Sequence, residues 1–198
     1  MQEKTLYTIT VFSENVVAVL NQITAIFTRR QMNIETLSGS PSAINGIHKL
    51  TITTFATNEE AMQKLVKQID KRVDVLKAYY NIDEELVHQE IALYKIETSK
   101  LVSRTNVEEL IRKHNARILD VSDHATILQK TGHYEETQAL FEELSESIGV
   151  LQFIRSGRVA ITKSKVERLS DLLARRALVD AEMEQEAGSR EQGLETRE

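Results

Sequence analysis

Residues Val11 to Leu37, VFSENVVAVLNQITAIFTRRQMNIETL, decide the fold. They read as the end of one strand, a turn, a complete amphipathic helix and the start of a second strand. Just upstream, Thr5 to Phe12 alternates, with Tyr7, Ile9 and Val11 on one side and Thr8 and Thr10 on the other. That is the period of a half-buried strand rich in β-branched residues. Ser13-Glu14-Asn15 supplies side-chain acceptors suited to capping a helix start. Val16, Val19, Leu20, Ile23, Ile26 and Phe27 follow at helical spacing, the strongest periodic signal in the chain. Arg29 and Arg30 fall in the last turn, where cations complement the helix dipole. Asn33 to Leu37 opens the second strand.

Working outward, Ser38-Gly39-Ser40-Pro41 softens that strand and Asn45-Gly46 marks a hairpin turn. Ile47 to Phe55 alternates again. Thr57-Asn58-Glu59-Glu60 announces a helix with acids in its first turn, and Met62, Leu65, Val66 and Ile69 give it an apolar stripe. Val73 to Tyr80 closes the pattern as a strand. The order strand, helix, strand, strand, helix, strand is the ferredoxin-like arrangement. Asn81 to Glu85 is a polar linker, and the order then repeats. Glu90–Ile96 is a strand. Thr105-Asn106 opens a helix bearing Val107, Leu110 and Ile111. Arg117–Val121 and Ala125–Gln129 are short strands. Tyr134–Ile148 is a helix burying Leu140, Phe141 and Leu144. Val150–Ile154 is strand-like, with Val159–Thr162 extending or following it. The expectation is an α+β protein with two ferredoxin-like (βαββαβ) domains in tandem, residues 1–81 and 82–162. A charged tail, 163–198, carries one short amphipathic helix on Val166, Leu169, Leu172 and Leu173.

Composition narrows the function. The chain has no Cys, which excludes disulfides, a thiol nucleophile and Cys-based metal sites. A net charge of −5 lacks the basic excess of a general nucleic-acid binder, so no nucleic-acid partner is expected. No apolar run reaches bilayer-spanning length and no signal-peptide pattern opens the chain, so a cytoplasmic protein without a membrane partner is expected. Phosphate-binding glycine loops and nucleophile elbows are absent from the sequence. The five His form no metal-binding spacing; a spatial site from Asp123, His124 and His133 is the one arrangement to check, and no metal site is assigned. Glu59-Glu60, Glu108-Glu109 and Glu135-Glu136 lie in the first turns of helices, where the dipole explains them without catalysis. Nothing in the sequence nominates a catalytic residue.

Glu14-Asn15, Leu20, Phe27, Arg30 and Asn33-Ile34-Glu35-Thr36-Leu37 together resemble the opening of the acetolactate synthase (acetohydroxyacid synthase) small-subunit family. Three further blocks are similar to that family in the same order: Val73-Asp74-Val75-Leu76, Gln89 to Ile96, and Arg155-Ser156-Gly157. The resemblance implies an N-terminal ACT domain, an amino-acid-sensing ferredoxin-like module that dimerises. It implies a non-catalytic regulatory chain that activates a large catalytic subunit in branched-chain amino-acid synthesis and confers feedback inhibition by valine. Thiamine diphosphate, magnesium and flavin are implied on that catalytic partner, with no cofactor on this chain. It also implies an effector site on Asn15, Val16, Val17, Ala18, Asn33 and Ile34. There a helix N-terminus would meet an amino-acid carboxylate, Asn33 would orient it, and the apolar residues would enclose a branched side chain. Read as pattern alone, Asn15 is a helix cap and Asn33 a turn residue.

The chain departs from the family pattern at two points. Val17-Ala18 stands where Pro-Gly is usual, and Gln31 stands where Gly is frequent before the second strand. Loss of glycine narrows the approach to the backbone. Activation of the partner with weakened, altered or lost valine affinity is the resulting expectation. A free-standing ACT amino-acid sensor controlling another enzyme or regulator is the alternative from a different class. A small ferredoxin-like enzyme would require a reactive cluster that the sequence lacks.

Overall fold

The computed structural model describes residues 4–103, 106–164 and 174. The helix read on Val166 to Leu173, and Thr105 at the start of another, lie outside these. Residues Met1–Thr162 form one compact unit. It contains two four-stranded antiparallel sheets. The first comprises β1 (Thr5–Glu14), β2 (Thr36–Pro41), β3 (Ile47–Ala56) and β4 (Val75–Asn81), with α1 (Val19–Arg29) and α2 (Glu59–Asp70) as its crossover helices. The second comprises β5 (Leu86–Glu97), β6 (Arg117–Val121), β7 (Ala125–Gly132) and β8 (Gln152–Thr162). Its helices are α3 (Thr98–Ser103), α4 (Asn106–Lys113) and α5 (Tyr134–Ser147). Strand orders β2-β3-β1-β4 and β6-β7-β5-β8 are the same topology twice. The α+β, twice-ferredoxin-like expectation therefore holds; the sequence did not reveal α3. No helix among the described residues is long and apolar enough to cross a membrane.

Each sheet buries one face under its helices. In the first, Ile9, Val11, Leu50 and Ile52 meet Ile23, Phe27, Leu65 and Ile69. In the second, Tyr94 and Ile96 meet Leu128, Leu140 and Leu144. The Tyr94 hydroxyl donates to the Thr137 carbonyl at 2.7 Å, so this buried ring keeps its polar tip satisfied. Burial pushes its pKa well above the usual phenol range.

Local chemistry sets the helix ends. Asn58 caps α2 by accepting from the Ala61 N–H at 2.8 Å, as the sequence pattern predicts. The acid pairs lie in the first turns of α2, α4 and α5. Glu136 accepts from the His133 N–H at 2.7 Å, and that bond lowers its pKa. The expected cap of α1 does not form. Ser13 and Glu14 remain in β1, the N-cap position is Ala18, and no side chain caps it. Helix α1 ends in a Schellman motif: Met32 N–H donates to the Phe27 carbonyl and Gln31 N–H to that of Thr28, both at 3.1 Å. The motif requires a left-handed residue, and Gln31 takes it with φ of 53°.

Two differences from the sequence reading matter. The Thr face of β1 is not solvent-facing: Thr8, Thr10, Thr51 and Thr53 are all buried, Thr8 to 1% exposure. The segment 81–85 is not a slack linker either. It contains a 3-10 turn, Asp83–Glu85. The cause of both is β8. Arg158, 9% exposed, donates from Nη1 to the Thr8 hydroxyl at 2.9 Å and pairs with the Asp83 carboxylate. Lys49 Nζ donates to the Ala160 carbonyl at 2.6 Å, and the Ser38 hydroxyl to the Arg158 carbonyl at 3.2 Å. The distal half of β8 thus covers the polar face of the first sheet.

Two stability outcomes follow. Gln31→Gly relieves a left-handed non-glycine residue and should stabilise the chain by about 1 kcal/mol in urea titration. Arg158→Ala strands Thr8 and Asp83 and should cost about 2 kcal/mol, below the fully buried case because Asp83 reaches water.

Candidate functional site

The turn that joins β1 to α1 holds four of the six sequence-predicted effector residues. The Asn15 N–H donates to the Gly46 carbonyl at 3.1 Å and the Glu14 N–H to that of Asp74 at 3.0 Å. These bonds tie the turn to the β2–β3 hairpin and to the approach of β4. Asp74 is held in turn by the Gln22 amide at 3.1 Å. Asn15, Val16, Val17 and Ala18 are all exposed, Val17 completely so. Ala18 has φ −83° and ψ −14°, ordinary right-handed helical backbone. Nothing in the main-chain conformation therefore demands glycine there. The effect of Ala18 is confined to a methyl group standing at the open end of the helix.

That end differs from the other long helices. It has no capping side chain and no acid in its first turn, whereas α2 and α5 begin with paired glutamates. Its first turn thus carries no acid of its own, and the nearest described carboxylate bonded to it is Asp74, on Gln22.

Asn33 and Ile34 sit at the opposite end of α1. The eleven-residue helix that lies between them is about 16 Å long. Asn33 is exposed; its carbonyl accepts from the Thr54 hydroxyl at 2.6 Å. Ile34 is half-buried against the first core. Strand β2 starts only at Thr36, so Asn33 precedes it rather than opening it. Asn33 borders a cleft of about 470 Å³ with Arg30, Gln31 and Thr57. One chain does not bring Asn15 and Asn33 together around a single ligand. Their convergence requires a second surface.

Two exposed apolar surfaces offer contacts for one. Val16, Val17 and Leu20 project beside the first turn of α1. On the second sheet, the face away from the helices carries Val87, Ile91, Leu93, Ile154, Val159 and Ile161, between 37% and 68% exposed. The register pairs Leu93 with Ile154 and Val87 with Ile161, so they form one continuous face. Strand alternation groups Val87, Ile91 and Leu93 in the sequence but sets Ile154 out of phase with Val159 and Ile161; the extra residue of β8 at the register slip brings them to one side. Alternation does not tell which side the helices leave bare.

The check for a metal gives a clear local answer. No group of three His, Asp or Glu side chains is arranged for an ion among the described residues. His133 packs edge-on against His88 at 4.6 Å instead. His88 lies beside Asp83 at 3.6 Å, and burial followed by the positive Arg158 lowers its pKa.

Known proteins place this architecture. A family described as "AHAS small subunit-like ACT domain" matches residues 9–77, and "Small subunit of acetolactate synthase" matches residues 89–164. The acetolactate synthase small subunit of Bacillus subtilis is 30% identical over 167 residues, covering 84% of this chain and 95% of that protein. The corresponding protein of Mycobacterium bovis is 30% identical over 163 residues, covering 82% and 95%. The crystal structure of the Thermotoga maritima acetolactate synthase small subunit superposes with a TM-score of 0.72. It spans 81% of this chain and 99% of that one, at 24% identity, and so shares the fold. With both sheets matched in order and nearly the whole length of its relatives spanned, this chain belongs to the family of acetolactate synthase small subunits.

Proposed function

We propose that this chain is the regulatory, non-catalytic subunit of a cytoplasmic acetolactate synthase. The observation that carries the reading is the match of two family descriptions, end to end, over the two repeats of one topology. In this role the chain activates a large catalytic subunit in branched-chain amino-acid synthesis. That partner holds the thiamine diphosphate, magnesium and flavin; this chain supplies no reacting group. The residues described above bind and couple, and do no bond chemistry.

Division of labour follows the two sheets. Residues 1–81 act as the sensing and dimerising module, and 82–162 as the coupling module. A second copy docking at the first module would cover Val16, Val17 and Leu20 and remove apolar surface from water. The same docking would let the Asn15 turn of one copy approach Asn33 of the other, which a single chain cannot do. A branched-chain amino acid would then sit with its carboxylate at the N-terminus of α1 and its side chain against Val16, Val17 and Ile34. The open apolar face of the second sheet suits the catalytic subunit, because an unpartnered sheet face of that size favours burial.

Adding this chain to the large subunit of its own genome should raise acetolactate formation several-fold; unchanged activity would count against the regulatory reading. Leu93→Lys with Ile161→Lys should abolish that activation while leaving the thermal unfolding midpoint within a few degrees, since both side chains are exposed. Calorimetric titration with valine, leucine and isoleucine should show saturable binding that falls about tenfold in Asn15→Ala and in Asn33→Ala. Amino-acid binding without any association with the large subunit would fit the free-standing sensor instead.

A further inference from the structure

Arg155-Ser156-Gly157 carries part of the family resemblance, and the fold gives it a definite place. It forms one wall of a cleft of about 570 Å³ between the two sheets, with Thr36 and Phe55 opposite and Glu90 also lining it. The backbone here is irregular. Strands β5 and β8 slip register between Glu90 and Ala92, and the Ile91 N–H donates to the Ser156 hydroxyl at 3.0 Å instead of a strand carbonyl. Gly157 has φ of +74°, and a Cβ there would lie 3.2 Å from the Thr36 Cβ. Glycine therefore lets β8 approach the edge of the first sheet. Bulges of this kind re-aim side chains and recur beside binding sites.

The polar groups in the cleft are few and fixed. Glu90 is 7% exposed and accepts from the Thr137 hydroxyl. Arg155 Nε lies 3.1 Å from Glu90 Oε1 but is too poorly aligned for a hydrogen bond. It is a buried donor with no such partner among the described residues. Nη2 donates to the Gln138 amide oxygen at 2.7 Å, and the guanidinium stands 4.1 Å from the centre of the Tyr134 ring. Glu35 adds an exposed carboxylate at the rim. Phe55 and Tyr134 remain 43% and 53% exposed beside these charges. The Glu90–Arg155 pair lies wholly within the second sheet and its helix, and the joint between the sheets is made by Arg158. Clamping the sheets together therefore does not account for it.

A guanidinium whose Nη1 makes no hydrogen bond among the described residues, a rim carboxylate and two half-exposed aromatic rings match one ligand chemistry: a carboxylate, an ammonium and an apolar body. We propose that this inter-sheet cleft binds a free α-amino acid with an aromatic or long apolar side chain, at a site separate from the Asn15 turn. Its carboxylate meets Arg155, its ammonium meets Glu35, and its side chain lies between Phe55 and Tyr134. Because the cleft walls come from both sheets, occupancy stiffens the joint between them. This inference stands whether or not the chain engages a catalytic subunit.

The test is calorimetric titration of the full chain with methionine, phenylalanine and tyrosine. Wild-type protein should bind at least one saturably. Tyr134→Ala and Phe55→Ala, both at exposed positions, should each weaken that binding about tenfold, whereas Asn15→Ala and Asn33→Ala should leave it unchanged. Arg155→Met should abolish it, and the two aromatic variants carry the test if that protein fails to fold. Hydrogen exchange should slow in 35–37 and 155–158 on ligand addition. No saturable binding of any of the three, or binding lost in Asn15→Ala and intact in Tyr134→Ala, would overturn the proposal. Failure to activate a large subunit would leave it standing.

Discussion

The guanidinium of Arg158 is the constraint on which the arrangement of the two sheets rests. A buried cation costs several kcal/mol unless it is paired and hydrogen-bonded. Arg158 meets that demand with groups from two other elements, the Thr8 hydroxyl in the middle of β1 and the Asp83 carboxylate in the turn after β4. The sheet it covers is correspondingly polar: Thr10, Thr51 and Thr53 line the same buried face as Thr8. Thr36 and Thr53 share a hydroxyl–hydroxyl bond of 2.7 Å there, and Lys49 reaches the Ala160 carbonyl. A joint built from hydrogen bonds has directional demands that an apolar one lacks. It fixes one packing of β8 on the first sheet, and it is sensitive to charge nearby. His88, next to Asp83 and Arg158, is held toward its neutral form by burial and by that cation.

This polar joint gives the two modules a route of communication. The β1–α1 turn is tied through Glu14 and Asn15 to the approach of β4 and to the hairpin. Strand β4 leads directly to Asp83, and Asp83 leads to Arg158 on β8. Strand β8 also carries Ile154, Val159 and Ile161 on the open apolar face. A continuous chain of backbone and paired charges thus joins the turn to the open apolar face of the second sheet, through the 3-10 turn at Asp83–Glu85. The two departures from the resembled pattern lie at the two ends of helix α1. Ala18 occupies an unstrained conformation, so its replacement of glycine changes only local volume. Gln31 occupies a left-handed one, so its replacement of glycine is borne as backbone strain.

Much of this was legible in the chain itself. Alternation of Tyr7, Ile9 and Val11 and the stripe Met62, Leu65, Val66 and Ile69 named the core of the first sheet. Asn58 named a helix start, and the repeated element order named the topology. These signals are local: they depend on neighbours within one strand or one helical turn. The failures share a cause as well. Ser13 and Asn15 look like caps because their side chains can accept, but β1 continues to Glu14 to complete its pairing with β3 as far as Ile47. Tertiary pairing outweighed a local preference. Val73 looks like a strand residue and is almost fully exposed, because β4 begins only at Val75.

By itself the sequence determined the two folds, their order and the family, since periodicity and short motifs are written in consecutive residues. Only the tertiary structure decided what lies against what. Thr8 and Arg158 are 150 positions apart, and nothing local marks either as the other's partner. The same holds for Thr36 with Gly157, and for the bare side of the second sheet. Asn15 and Asn33, assigned to one effector site by the resemblance, are held at opposite ends of α1 because a helix rises about 1.5 Å per residue. A site that joins them must be completed by a surface beyond one chain.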